Sequence, residues 1–120
     1  MLFSQKNLNI AFKVLAVGAL CAAIYHAVGI FYPINEAPPW RHGLFVVINL
    51  LGAWFLLKRP VACLPIFALI MLQQLYSHGT FLINTWNEAH RIDWPSVFVL
   101  IFFPLTAVLL WIDYRNKNKY

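Results

Sequence analysis

Three histidines lie near one end of the predicted membrane-spanning segments and carry the most versatile chemistry in this chain. They are His26, His42 and His78, and the fourth histidine, His90, follows in a predicted loop on the same side. Imidazole gains or loses a proton near neutral pH and binds metal ions. Polar side chains inside a membrane are costly and usually face the bundle interior or a wet cavity. We therefore predict that His26, His42 and His78 line one polar pocket.

Amide and phenol side chains at similar depth complete the predicted pocket. Asn49 and Gln74 reach towards the midplane and form its floor, with Gln74 one turn below His78 on the same helix face. Tyr25 and Tyr76 join the histidines in its walls. Three acidic residues lie in the loops that form its lid: Glu36, Glu88 and Asp93. The alternative is that each polar side chain only bonds a neighbouring helix or a lipid headgroup.

Three sharper chemistries fit these side chains, but none has a diagnostic motif. Imidazole with a carboxylate suits zinc or a similar ion, yet no His-Glu-x-x-His spacing occurs. His26 and His78 could hold non-covalent haem between diagonal helices, while the Cys-x-x-Cys-His attachment motif is absent. Acid–base catalysis on a lipid-like substrate needs a histidine and a carboxylate near the interface. No nucleophile identifies a reaction, so cofactors and enzymatic activity stay open.

Four apolar segments must position these side chains. The chain is 62% hydrophobic and 11% charged, whereas soluble domains are about half apolar and about a quarter charged. The segments cover residues 10–31, 39–57, 61–83 and 95–112, each close to the roughly 20 residues that span a bilayer. Pro39 and Pro95 suit first helical turns, and Pro104 predicts a kink. We predict an all-α membrane protein, a four-helix transmembrane up-down bundle formed by one domain over residues 1–120.

The segment ends and the cysteines add local expectations. Residues 84–93 are polar and are predicted to form a loop, and the tail from Asp113 onwards is predicted to be polar and partly disordered. Gly18, Ala22 and Gly29 recur at helical spacing on the first segment and would allow a close neighbour. Cys21 and Cys63 differ in predicted depth by roughly 12 Å, too far for a disulfide.

The basic residues predict an orientation. Seven of the nine lie on the side of both termini: Lys6, Lys13, Lys58, Arg59, Arg115, Lys117 and Lys119. Only Arg41 and Arg91 lie on the other side. Short basic loops stay cytoplasmic, so both termini are predicted to be cytoplasmic in a bacterial-type inner membrane. This placement at segment ends is typical of topology signals and argues against a nucleic-acid partner.

These observations predict a small integral membrane protein that binds a small ligand, a lipid headgroup or a metal at an extracytoplasmic pocket. An accessory or structural subunit without a site of its own is the alternative. A membrane enzyme and a dimeric transporter are further alternatives, although no helix is expected to carry an intramembrane acid. The lipid bilayer is the partner that the sequence indicates. A homo-oligomer and a complex with another membrane subunit both remain open.

Overall fold

A computed structural model describes residues 3–118, and this part of the chain is all-helical, with no strand. Its four helices are α1 (Gln5–Phe31), α2 (Pro39–Lys58), α3 (Cys63–Ala89) and α4 (Trp94–Lys117). All four are long and apolar enough to cross a membrane. The prediction of an all-α fold with four such helices is therefore confirmed. Lys119, which was counted among the basic residues, lies outside the described residues.

The chain divides into two compact units, Met1–Pro60 and Val61–Tyr120. The first is an antiparallel hairpin of α1 and α2, and the second is an antiparallel hairpin of α3 and α4. We call them the N-terminal and C-terminal hairpins. The end that holds the connecting loop is the closed end of each hairpin, and the opposite end is its open end. Packing of all four helices into one up-down bundle stays a prediction.

The N-terminal hairpin has a regularly spaced buried face. The buried residues of α1 recur every three or four positions, which places them on one side of the helix: Leu8, Phe12, Ala16, Ala19 and Ala23, followed by Gly29. Phe12 and Gly29, at the two ends of this face, both meet side chains contributed by α2 and its C-cap. Because most of these residues are small, the two helix backbones can approach closely.

Capping groups set the helix ends of the N-terminal hairpin. The Ser4 hydroxyl accepts the Asn7 backbone N–H at 3.2 Å, so α1 begins five residues before its predicted start. Pro39 opens α2 in the position where its missing N–H has no helical partner. Arg59 ends α2 in the left-handed conformation, with φ 45°, and its N–H bonds the Phe55 carbonyl.

The C-terminal hairpin is held by contacts along its length. The Phe67 and Phe103 rings stack with centroids 5.4 Å apart, which joins the first half of α3 to the middle of α4. The Asp93 carboxylate accepts the Ser96 N–H at 3.0 Å and caps α4. The helix continues through Pro104 without ending.

The last two helices extend beyond the C-terminal ends that the apolar pattern indicates. α3 runs to Ala89, so the loop predicted for residues 84–93 is confined to residues 90–93, and His90 is the C-cap with φ 48°. α4 runs to Lys117, so the predicted tail from Asp113 is largely helical. The ion pair between Asp113 and Lys117, at 2.8 Å, supports this last turn. A helix satisfies its backbone in water as well as in lipid, so polarity marks the end of the apolar span and not the end of the helix.

Large apolar side chains remain outside the packed faces. Val61 is 80% exposed and Leu69 is 70% exposed, and every helix carries further examples. A soluble protein rarely leaves so continuous an apolar surface in water. This surface, together with the lengths of the helices, indicates a membrane protein.

Candidate functional site

Two of the predicted histidines are in direct contact at the closed end of the N-terminal hairpin. The Nδ1 atoms of His26, on α1, and His42, on α2, are 3.0 Å apart. His42 lies in the first turn of α2 and is only 2% exposed, while His26 is half-buried. The two rings are tilted by 43° with centroids 5.3 Å apart. Two helices thus contribute one imidazole each to a hydrogen-bonded pair.

Asn35, in the loop between α1 and α2, determines which nitrogen carries each proton. Its Oδ1 atom accepts the Ala37 backbone N–H at 2.9 Å, which identifies that atom as the acceptor. The Nε2 atom of His42 lies 3.1 Å from the same oxygen and must therefore donate to it. In a neutral His42 ring the Nδ1 atom is then the acceptor, and His26 donates its Nδ1–H. This direction of donation leaves the Nε2 atom of His26 as an acceptor.

Aromatic rings hold His26 in place. The Phe45 ring stacks on it, with centroids 5.0 Å apart and 20° between the planes. The Tyr25 ring meets its edge at 5.2 Å and 78°. The guanidinium of Arg41 lies 5.9 Å from the centre of the Phe45 ring and brings a positive charge close to the pair. His26 is consequently fixed in orientation on one side and accessible on the other.

Gly29 makes room for the buried His42 ring. A Cβ atom at this position would lie 2.7 Å from Cε1 and Nδ1 of His42 and 2.8 Å from Cγ. Real Cβ contacts are not that short, so only glycine lets the imidazole lie against the α1 backbone. Gly29 is therefore the close-contact glycine anticipated on the first segment. A Cβ atom at Gly18, by contrast, would meet no neighbouring atom of residues 3–118 within 4 Å.

The closed end of the C-terminal hairpin has a related arrangement. The Nδ1 atom of His78, on α3, lies 2.9 Å from the hydroxyl oxygen of Ser96, on α4. Ser96 is fully buried and is the third residue of its helix when Trp94 is counted first. His42 is the fourth residue of α2, and like Ser96 it comes two residues after a tryptophan, here Trp40. Each hairpin thus joins a histidine of its first helix to a buried polar residue in the first turn of its second.

The other predicted pocket residues have varied surroundings. The Asn49 amide donates to the Phe45 carbonyl of its own helix at 2.8 Å. Gln74 is 7% exposed and donates to the neighbouring Gln73 amide oxygen at 2.6 Å. Tyr25 is 51% exposed and Tyr76 is 78% exposed. Their membership of one pocket with the three histidines stays a prediction.

The predicted lid residues differ in role. Glu36 and Glu88 are exposed, whereas the Asp93 carboxylate caps α4. Asp113 is a further acid that sequence reasoning assigned to the tail, and it is 2% exposed inside α4. Asp113 lies beyond the predicted apolar span of residues 95–112, so the expectation that no helix carries an intramembrane acid stays a prediction.

Sequence reasoning missed three residues that shape the two histidine contacts: Asn35, Phe45 and Ser96. One signal could have drawn attention to two of them. The tripeptide Asn-Glu-Ala occurs at residues 35–37 and again at residues 87–89, and a tryptophan follows each copy at Trp40 and Trp94. This local repetition precedes the first turns that contain His42 and Ser96.

No group of three or more metal-ligating side chains occurs among residues 3–118. No protein-family model, curated protein sequence or solved structure is significantly similar to this chain. The chemistry of the His26–His42 pair is thus the basis for assigning a function.

Proposed function

We propose that this protein binds a ligand group that donates a hydrogen bond, with the Nε2 atom of His26 as the acceptor. Hydroxyl and amine groups of a small molecule or of a lipid headgroup have this chemistry. The observation that carries the proposal is the direction of donation from His26 through His42 to Asn35, because it leaves one imidazole nitrogen as an oriented acceptor.

The surroundings of His26 suit a ligand at the boundary between lipid and water. The ring lies about one turn from the end of α1 and next to the half-exposed Tyr25, and the exposed Trp40 comes two residues before its partner His42. Tyrosine and tryptophan are typical of membrane interfaces, where one side of the ring is apolar and the other is wet. With the predicted orientation, this end of the hairpin faces the extracytoplasmic side of a bacterial inner membrane.

Burial of His42 pre-organises the acceptor. An imidazole that is 2% exposed and bonded at both nitrogens cannot turn without losing a hydrogen bond. Its Nδ1 atom therefore fixes the tautomer of His26 before a ligand arrives, so little ordering remains to be done on binding.

A metal ion between the two Nδ1 atoms is the second candidate. It is favoured by the Asn35 contact, since metal-ligating histidines commonly donate their other N–H to an oxygen. Zinc at about 2.05 Å from two tetrahedral ligands needs nitrogens about 3.3 Å apart. The observed 3.0 Å is shorter and matches a hydrogen bond. The hydrogen-bonded pair is therefore the better description.

Native mass spectrometry of the gently purified protein tests the proposal with two lipids. Phosphatidylethanolamine carries N–H donors, and phosphatidylcholine is the same lipid with those donors methylated. We expect the wild type to bind the ethanolamine lipid more tightly, by about tenfold for one charge-assisted hydrogen bond. His26→Asn should abolish this preference, because its amide can still donate to His42 but offers no outward nitrogen.

His90→Asn is the matched control, since His90 is exposed and asparagine tolerates its positive φ. It should bind both lipids as the wild type does. A preference that survives His26→Asn would contradict the proposal and favour an accessory subunit without a site. Stoichiometric zinc that is lost in His26→Asn would instead establish the metal site.

A further inference from the structure

A cavity of about 270 Å³ lies at the open end of the N-terminal hairpin, far along the helices from the histidine pair. Its walls combine polar and apolar side chains from the start of α1 and the end of α2: Asn9, Phe12, Lys13, Leu56, Leu57 and Arg59. Small-molecule pockets usually measure about 300–1,000 Å³. This cavity suits a compact headgroup better than a whole drug-sized molecule.

Arg59 is held in a fixed position at this cavity. Its guanidinium carbon lies 4.6 Å from the centre of the Phe12 ring, and its Nη2 atom donates to the Asn9 side-chain oxygen at 2.6 Å. Phe12 is itself fully buried. Arg59 has a left-handed backbone at the end of α2, and its side chain reaches α1 through these two contacts. A planar guanidinium fixed in this way is pre-organised for an anion.

The charges of this hairpin favour an anion at the same end. Lys13 lines the cavity and is exposed, one helical turn after Asn9. Lys58, next to Arg59, is also exposed. The only acidic residue in the first sixty is Glu36, which lies in the loop at the closed end. The charged side chains that this hairpin contributes to its open end are therefore all positive.

We propose that this cavity binds a phosphate group through Lys13 and Arg59. Arginine and lysine together offer the multiple charge-assisted N–H donors that phosphate oxygens accept. The group could belong to an anionic phospholipid, whose acyl chains would follow Leu57, or to a free phosphate compound. Basic pockets between membrane helices recognise headgroups by this chemistry. The proposal is independent of the histidine pair.

Binding of phosphatidylglycerol to the full-length protein, measured by native mass spectrometry, tests the proposal. Lys13→Gln should weaken the lipid adduct by about tenfold, since one charge-assisted hydrogen bond is lost. Lys58→Gln is the matched control, because Lys58 is an exposed lysine at the same end but outside the cavity wall. It should weaken binding by less than about threefold, as expected for a screened surface charge. Lys13→Arg should retain binding.

Two further probes identify the source of the phosphate. Diacylglycerol has the same chains without the phosphate, and its binding should not depend on Lys13. A free phosphate compound would be indicated as the ligand by two results together. Inorganic phosphate would raise the thermal stability of the wild type but not of Lys13→Gln, and no lipid adduct would depend on Lys13. The proposal would be overturned if Lys13→Gln and Lys58→Gln weakened binding equally. It would also be overturned if neither variant weakened the binding of phosphatidylglycerol or of inorganic phosphate.

Discussion

Replacing Gly29 with alanine would place a methyl group against the His42 ring, closer than van der Waals contact allows. The new Cβ atom would lie 2.7 Å from two ring atoms, so either the ring or the α1 backbone must move by several tenths of an ångström. His42 has little freedom to do so, because it is 2% exposed and bonded to both His26 and Asn35. Relief of the clash should therefore break at least one of these hydrogen bonds.

The magnitude follows from three contributions. Overpacking of a tight site costs about 1–3 kcal/mol, and a lost hydrogen bond adds about 1 kcal/mol. The higher helix propensity of alanine offsets about 1 kcal/mol. We expect Gly29→Ala to lower the free energy of unfolding by about 2 kcal/mol. Gly18→Ala on the same helix has no contact to disturb and should be neutral or stabilising by up to about 1 kcal/mol.

Denaturant unfolding of the purified protein in bicelles would measure this difference. A double-mutant cycle with His42→Ser adds a direct check, because removing the ring removes the clash. In that background Gly29→Ala should be neutral or stabilising by up to about 1 kcal/mol, as expected at Gly18. The coupling energy between the two positions is then about 2–3 kcal/mol. If Gly29→Ala matched Gly18→Ala, or if the two changes were additive, His42 could not be packed against Gly29 as described.

Two more predictions concern the C-terminal hairpin and the orientation. Ser96→Ala removes the buried hydroxyl that bonds His78 and should lower the free energy of unfolding by about 1 kcal/mol. Thr80→Ala loses only an exposed hydrogen bond within its own helix and should change the free energy by less than half as much. Equal effects of the two substitutions in thermal unfolding would refute a role for Ser96 in packing α3 against α4. In a background without the native cysteines, a cysteine at Asn87 should react with an impermeant thiol reagent from outside intact cells, while one at Asn118 should not. The reverse pattern would overturn the predicted topology and the extracytoplasmic position of the histidine pair.

The number of helices and their apolar spans could be predicted from the sequence because both depend on local composition. Hydropathy adds up along the chain, and a backbone in hydrocarbon must satisfy its hydrogen bonds within a helix. Pro39 marked the start of α2 for a similarly local reason, since proline suits a first turn. The placement of His26 and His42 near helix ends was likewise apparent from their positions in the apolar segments.

The helix ends beyond the apolar spans were less predictable. The polarity of residues 84–89 predicts a loop, yet they continue α3, because a polar stretch ends an apolar span without ending a helix. Asp113 was assigned to a tail for the same reason, yet it is buried and paired with Lys117 within α4. Capping groups and ion pairs along one turn decide such ends, and they contribute little to a hydropathy pattern.

Only the tertiary structure decided which side chains meet. The contacts of the N-terminal hairpin depend on how α1 and α2 are rotated about their own axes. This holds for the bonds of His42 to His26 and Asn35, for the fit of the His42 ring against Gly29, and for the position of Arg59 over Phe12. This rotation results from the packing of many side chains at once, and a change of one residue in register moves a contact by about 100° around the helix. The sequence therefore determined four helices long and apolar enough to cross a membrane and the polar residues near their ends. The packing of each hairpin determined the partners of those residues and, for His26 and His42, which ring nitrogen donates.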